Sequence, residues 1–120
     1  MNKDKPYDLG ERTFQFALSV PNIVNRLSKT LSNIEYSKQV IRSSGSTGAN
    51  YIEANENLSE KDAIYRFKIC RKESKESGFW LKLLRETNDV SFKEEFNELI
   101  QEANELKLIF NAIINKKSNK

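Results

Sequence analysis

The chain has 120 residues, with 20 basic and 17 acidic side chains, a formal net charge of +3 and no histidine. This length is that of one domain with a single core. The lack of histidine removes the usual ligands of zinc and di-iron sites, and with them the commonest general base. We therefore predict a non-enzymatic protein that uses no cofactor.

The sequence contains no stretch long and apolar enough to span a membrane, and Met1 to Lys5 leads into no signal-like apolar run. Its single cysteine, Cys70, excludes an internal disulfide and suits a reducing compartment. We expect one domain over residues 1–120, ordered from about 8 to 115, located in the cytoplasm and independent of membranes.

Capping chemistry predicts four helix starts. At each one a side-chain oxygen at the N-cap can accept a hydrogen bond from a free backbone N–H of the first turn, and an acidic residue three positions later interacts favourably with the positive end of the helix dipole. Each of the four pairs precedes an amphipathic stretch. The pairs are Asp8 with Glu11, Ser32 with Glu35, Ser59 with Asp62, and Ser91 with Glu94.

These starts predict helices over about 9–27, 33–56, 60–87 and 92–115, with turns at Asn55–Asn57 and Asn88–Asp89. Pro21 lies in the first helix, where we expect a kink rather than two short helices meeting near Val20. Short connections make successive helices antiparallel. The fold prediction is therefore all-α, an antiparallel up-down-up-down four-helix bundle.

Apolar periodicity assigns an inward face to three of the helices. In the first helix the predicted core residues are Phe14, Ala17, Leu18, Val24 and Leu27. In the third they are Ala63, Phe67, Cys70, Ser74, Ser77, Leu81 and Leu84. In the fourth they are Phe92, Phe96, Leu99, Ala103, Leu106, Phe110 and Ile113. Cys70 is expected to be a small core residue rather than a reactive thiol.

The second helix carries an unusual centre from Arg42 to Ala54, which looks like a loop by composition but follows helical spacing. One face stacks the polar residues Arg42, Ser46, Asn50 and Glu53. The neighbouring face holds Ile41, Ser44, Gly48 and Tyr51. Its small residues, Ser44 and Gly48, would let another helix approach closely. We favour a structural polar network completed by Glu76 or Glu73; a ligand or catalytic site is the alternative.

The run Arg42-Ser43-x-x-Ser46-x-x-Ala49-Asn50-x-x-Glu53-Ala54, followed by Glu76 and Trp80-Leu81, resembles a family of four-helix bundle proteins. Its members are known from intervening sequences in bacterial 23S ribosomal RNA genes. The resemblance extends from Tyr7 to about Ile114, although Thr47-Gly48 replaces the usual Ile-Pro or Ile-Gly and Pro21 lies inside the first helix. It implies a homo-oligomer, with a ring-like pentamer as the expected form.

The third helix has a basic exterior, with eight bases and five acids between Ser59 and Asn88, a balance of +3. A concentrated stripe of this kind can neutralise phosphates. The alternative is a solvated face with intrahelical pairs such as Lys72 with Glu76. The candidate RNA-binding residues are Lys68, Arg71, Lys72, Lys75, Lys82 and Arg85.

A second apolar stripe lies outside the predicted core faces. A monomeric bundle of this size should not expose many large apolar groups together, so we favour self-association over one wide core-facing stripe. On the third helix the candidate oligomer-interface residues are Tyr65, Ile69, Phe79 and Leu83; on the fourth the stripe includes Leu108, Ile109 and Ile114.

Three functional hypotheses follow. The first is a non-enzymatic oligomeric scaffold whose basic face contacts RNA or an RNA-handling partner. The second is a protein-binding module that uses the exposed aromatic stripe and has no nucleic-acid role. The third is an enzyme or small-molecule binder that uses the cluster of Arg42, Asn50, Glu53 and Glu76.

Overall fold

The computed structural model describes residues 8–56 and 59–119. It contains four α-helices, and no strand occurs in the described ranges. The helices are α1 (Leu9–Val24), α2 (Leu31–Asn55), α3 (Glu60–Glu86) and α4 (Lys93–Ser118), with a short 3-10 turn at Val90–Phe92 before α4. The all-α four-helix prediction is confirmed, and α2 runs unbroken through Gly45 and Gly48.

Two of the four predicted caps are confirmed. Asp8 accepts from the Gly10 N–H at 2.8 Å, and Ser59 accepts from the Asp62 N–H at 3.1 Å. The prediction of Ser32 is wrong, because Thr30 accepts from the Asn33 N–H and starts α2 two residues earlier.

The predicted cap at Ser91 is also wrong. Asp89 accepts from the Ser91 N–H at 2.9 Å and starts the 3-10 turn instead. Helix α4 then begins at Lys93, with Phe92 at its N-cap and no side-chain cap bond. The hydrogen bonds from Ser91 hold the pKa of Asp89 below its ordinary value.

Helix α1 is one element that contains Pro21 in its final turns, rather than two short helices. It ends at Val24, three residues before the predicted end. The Arg26 N–H donates to the Ile23 carbonyl and the Leu27 N–H to the Val24 carbonyl, so the chain tightens into a 3-10 type exit.

Cross-helix contacts fix the up-down-up-down order. Early α1 meets late α2 where Thr13 contacts Gly48, and early α2 meets late α3 where Asn33 and Asn88 exchange amide hydrogen bonds at 2.8 Å. Early α3 meets late α4 where the Lys117 ammonium donates to Glu60 Oε1 at 2.9 Å, and nearer the middle of α3 the Arg71 guanidinium donates to Asn111 Oδ1 at 2.7 Å. Helix α3 packs extensively against both α2 and α4, whereas α1 packs against α2 and only lightly against α4.

The predicted inward face of α1 is wrong at Phe14 and Leu18, which are 60% and 54% exposed. The buried face instead lies one to two positions away and includes Thr13, Phe16, Val20 and Ile23, with Val24 and Leu27 as predicted. Both stripes are apolar, so packing against α2 and α4 decides which one is covered. Ile114 is likewise buried, contrary to its placement on an outer stripe.

Small residues allow the close helix approach that the sequence predicts. A Cβ added at Gly48 would lie 3.3 Å from Thr13 Oγ1, so α1 and α2 nearly touch there. Between α2 and α3 the buried hydroxyls of Ser43 and Ser77 lie 2.7 Å apart. These contacts bring α3 close to α2 on one side and leave its outer face to solvent. No helix in the described ranges is both long and apolar enough to cross a membrane.

Candidate nucleic-acid interface

A basic groove lies between α3 and α4 on the outside of the bundle. It encloses about 470 Å³, and its walls carry five cationic side chains and no acidic one. Four of the cations are predicted RNA-binding residues on α3, and Lys107 joins them from α4. The residues that line the groove are Lys68, Arg71, Lys72, Lys75, Lys107, Leu108 and Asn111.

The lysines of this basic groove are not neutralised by neighbours. In the described part of the chain no carboxylate forms an ion pair with Lys68, Lys72, Lys75 or Lys107. The alternative pairing of Lys72 with Glu76 is not formed, because Glu76 turns toward α2 and pairs with Arg42 at 3.5 Å. The groove therefore presents a concentrated positive potential to an incoming ligand.

The other two predicted RNA-binding residues lie outside the groove. Arg85 is engaged elsewhere, donating to Glu86 Oε2 and to Asn97 Oδ1 at 2.8 Å. Lys82 is exposed on α3, about 10 Å beyond Lys75 at the helical rise. Lys107 was missed from the sequence because its proximity to the α3 lysines depends on how α4 is rotated.

The predicted oligomer-interface residues divide into two pairs. Tyr65 and Phe79 are exposed on the outer face of α3, whereas Ile69 and Leu83 are half-buried. The Phe79 ring packs edge-on against Trp80 with centroids 5.1 Å apart, and Trp80 in turn lies 5.9 Å from Tyr36. The exposed Phe79 ring is therefore supported from below by contact with Trp80, which packs in turn against Tyr36.

Comparison with protein families gives a match to the model described as 23S rRNA-intervening sequence protein, over residues 6–112. The chain belongs to this family. A solved structure from the S23 ribosomal protein family of Bacteroides thetaiotaomicron, titled as a protein with unknown function, is 28% identical. It is similar over 88% of this chain and 97% of its own, with a TM-score of 0.77. None of the curated proteins matches.

The polar motif that resembled the 23S rRNA-intervening sequence family forms a cluster between α2 and α3. Glu73 Oε2 accepts from Ser46 at 3.3 Å and from Arg42 at 3.5 Å, while Asn50 donates to Ser46 Oγ at 3.0 Å. Arg66 donates to Asn50 Oδ1 at 3.0 Å and was missed from the sequence. The cluster links both helices through their side chains.

Two findings correct the predicted network. Glu53 is exposed, and no side-chain bond of the described residues connects it to the cluster. Glu73 takes the central place instead, and its Oε1 is buried without a hydrogen-bond partner in the described structure. A buried acceptor left unpaired costs free energy, which lowers the net contribution of this cluster to stability.

Cys70 lies in the core, and Arg12 forms an ion pair between α1 and α4. Burial raises the pKa of the Cys70 thiol to about 12, which leaves it protonated and unreactive at neutral pH. Between α1 and α4 the Arg12 guanidinium donates to Glu102 at 2.8 and 3.0 Å, and this bonding raises the pKa of Arg12. In the described ranges, no group of three or more acidic or cysteine side chains is placed to hold a metal ion.

Proposed function

We propose that the chain is a non-enzymatic helical-bundle scaffold that binds RNA through the basic groove between α3 and α4. The observation that carries this proposal is the groove itself, which has five cations on two walls and no acid among its lining residues. Lysine and arginine side chains bind phosphate oxygens, and the release of counterions supplies most of the binding free energy.

The shape of the groove supports a chain-like anion. Cations from α3 face Lys107 of α4, so a phosphate backbone lying along the groove would contact both helices. Arg71 is held by Asn111 and is therefore pre-oriented for a phosphate. The family takes its name from intervening sequences of 23S rRNA, which agrees with an RNA ligand but names no binding activity.

The test is fluorescence anisotropy of a labelled RNA that contains a hairpin and a single-stranded tail, measured across a salt series. Five groove cations give a slope of log K against log salt of about −3.5 to −4.5 per copy. Replacing one lysine that contacts a phosphate, as in Lys72→Gln, should reduce the slope by about 0.7 to 0.9.

A matched pair of double variants distinguishes the effect of the groove lysines on RNA binding from the effect of the net charge of the protein. Lys68→Glu with Lys72→Glu should abolish binding, whereas Lys29→Glu with Lys38→Glu changes the net charge equally outside the groove and should retain it. Circular dichroism of each variant checks the fold. Absence of binding by the unsubstituted protein at low salt, or equal losses in both double variants, would refute a groove-specific RNA contact.

We also propose that the scaffold is a homo-oligomer, with the pentamer implied by the family resemblance as the expected form. Exposed apolar side chains support this, because a small monomer seldom leaves so many uncovered. Phe14 and Leu18 form one candidate surface on α1, and Tyr65, Ile69, Phe79 and Leu83 remain the predicted one on α3. Light scattering of Leu18→Glu and Phe79→Glu measures which substitution lowers the solution mass.

The second candidate function is a protein-binding module with no nucleic-acid role. The exposed Tyr65 and Phe79 favour it, since aromatic side chains are enriched in the centres of protein interfaces. It predicts that the groove double variant leaves function unchanged while Phe79→Glu abolishes partner binding. The RNA titration therefore discriminates between the two functions.

A further inference from the structure

The exposed face of α3 carries a regular ridge that combines the predicted RNA-binding lysines with the predicted interface aromatics. Its members recur every three or four residues, which places them in one row along the helix, and every one of them is exposed. We define the α3 ridge as Tyr65, Lys68, Lys72, Lys75, Phe79 and Lys82.

An aromatic ring therefore lies at each end of the lysines that line the groove. Tyr65 is one turn before Lys68, and Phe79 is one turn after Lys75. The two rings are 62% and 56% exposed, so their faces are available to a ligand. The arrangement is the one found in proteins that bind single-stranded nucleic acids, where cations follow the backbone and aromatic rings stack on bases.

Charge argues against a two-fold contact between copies of the chain centred on the α3 ridge. A self-complementary contact centred on the ridge would bring the lysines of one copy against those of the other, and like charges oppose such a contact. No described acidic side chain pairs with these lysines. A polyanion that carries planar aromatic bases complements both the positive charge of the lysines and the exposed faces of the two rings.

We propose that the α3 ridge and the adjoining basic groove bind single-stranded RNA, with bases stacked on Tyr65 and Phe79 and phosphates held by the lysines between them. This inference rests on the proposed RNA-binding function and names the class of RNA. The two aromatic residues are about 21 Å apart along the helix, so a single strand of several nucleotides is needed to reach both rings.

Duplex RNA is a poorer ligand for this surface because its bases are already stacked and paired. The phosphates of a duplex can still contact the lysines, but Tyr65 and Phe79 gain no exposed base on which to stack. The α3 ridge therefore predicts a preference for the single strand that a basic groove alone would not produce.

The first experiment compares a labelled unstructured RNA of about 12 nucleotides, long enough to span both rings, with a blunt duplex of the same length. We expect the single strand to bind at least about fivefold more tightly at the same salt concentration, because base–aromatic stacking adds to the phosphate contacts. Tyr65→Ala and Phe79→Ala should each weaken single-strand binding about fivefold or more and leave duplex binding unchanged.

The salt dependence of binding and a matched control variant distinguish the contribution of base stacking to RNA affinity from that of the phosphate contacts. Neither aromatic variant neutralises a phosphate contact, so the slope of log K against log salt should remain that of the unsubstituted protein, whereas Lys72→Gln lowers it. Ile52→Ala removes an equally exposed apolar side chain from α2, outside the α3 ridge and the basic groove, and should not affect RNA binding. Phe79→Trp should retain binding, and Phe79→Leu, which keeps apolar area without a ring, should lose most of the stacking contribution.

Trp80 provides an independent optical signal. It is the single tryptophan of the chain, and the Phe79 ring packs edge-on against it at 5.1 Å. A base stacked on Phe79 should therefore alter Trp80 emission when unlabelled single strand is titrated, and duplex should not.

The outcomes distinguish the two proposals. If the protein binds RNA but prefers duplex, or if Tyr65→Ala and Phe79→Ala bind the single strand normally, the stacking inference is overturned while the groove proposal stands. If Phe79→Ala lowers the solution mass of the RNA-free protein, the ring belongs to a subunit contact and the inference is also overturned. If no RNA binds at low salt, both proposals fail.

Discussion

Two glycines on α2 provide a test of the close contact between α1 and α2. Gly45→Ala and Gly48→Ala add the same methyl group to one helix, yet we expect opposite effects on the free energy of unfolding. A Cβ at Gly45 would meet no heavy atom within 4 Å. Alanine there gains its helix propensity in full, about 1 kcal/mol, which raises the Tm by about 4 °C at this chain length.

At Gly48 the added Cβ would lie 3.3 Å from Thr13 Oγ1 and 3.5 Å from Thr13 Cβ. Thr13 is buried, and its hydroxyl donates to the Leu9 carbonyl at 2.7 Å, so it cannot rotate away without losing that bond. Crowding in a packed contact costs about 1–3 kcal/mol, which exceeds the gain in propensity. We expect Gly48→Ala to destabilise the protein by up to about 2 kcal/mol.

Urea denaturation followed by far-ultraviolet circular dichroism measures both variants. Adding Thr13→Ala to Gly48→Ala completes a double-mutant cycle, in which the coupling should favour the double variant by about 1 kcal/mol because the obstructing hydroxyl is gone. If Gly48→Ala stabilises the protein as much as Gly45→Ala, the two helices do not approach closely at Thr13 and the reasoning is refuted.

Three further predictions concern buried groups. Glu73→Met removes the unpartnered Oε1 together with the Oε2 that accepts from Ser46 and from the largely exposed Arg42. We expect the relief of desolvation to exceed the lost bonds and to stabilise the bundle by about 1 kcal/mol in the same urea assay, whereas the half-exposed Glu76→Met should change stability by less than about 0.5 kcal/mol. A loss of stability in Glu73→Met would show that the bonds of the cluster contribute net free energy. Cys70, with its pKa raised to about 12, should resist alkylation at pH 8 until the protein is unfolded, and rapid labelling of the folded protein would contradict its burial. Asn33→Ala removes the reciprocal bonds to Asn88 together with the bond from Asn33 Nδ2 to the Ser28 carbonyl, and should cost about 1–3 kcal/mol. Asn88→Ala also loses its bond to the Leu84 carbonyl and should cost a similar amount, and a negligible loss in either variant would contradict the contact.

The sequence predicts the four helices well because the signals that define them are local. Asp8 and Ser59 each lie directly before an amphipathic stretch, and both act as caps. The predicted cap of α2 is wrong because the side-chain oxygens of Thr30 and Ser32 are both suitable acceptors for a first-turn N–H, and only the path of the chain after Leu27 decides between them. Local chemistry therefore fixes that a helix starts here, but not the exact residue.

The sequence is a weaker guide to which side of each helix is buried and to which residues of two helices lie opposite each other, because both depend on the neighbouring helices. Helix α1 has two apolar stripes, and the choice of Phe14 and Leu18 over Phe16 and Val20 could not be corrected without knowing where α2 lies. The same limit applies to the candidate site: the lysines of α3 were visible as a stripe, but Lys107 joins them only through the packing of α4 against α3. Arg66 escaped notice for this reason as well, since its partner Asn50 is on another helix.

The absence of histidine limits the ways in which the groove can respond to its surroundings. Histidine is the side chain whose ordinary pKa lies closest to neutrality, and the chain has none; the thiol that would titrate next is held protonated by burial. The groove therefore contains no histidine or exposed thiol whose protonation could change its charge near neutral pH. Control of such a surface would come from ionic strength, from competing polyanions, or from covalent modification of the lysines, each of which changes the electrostatic attraction without a proton.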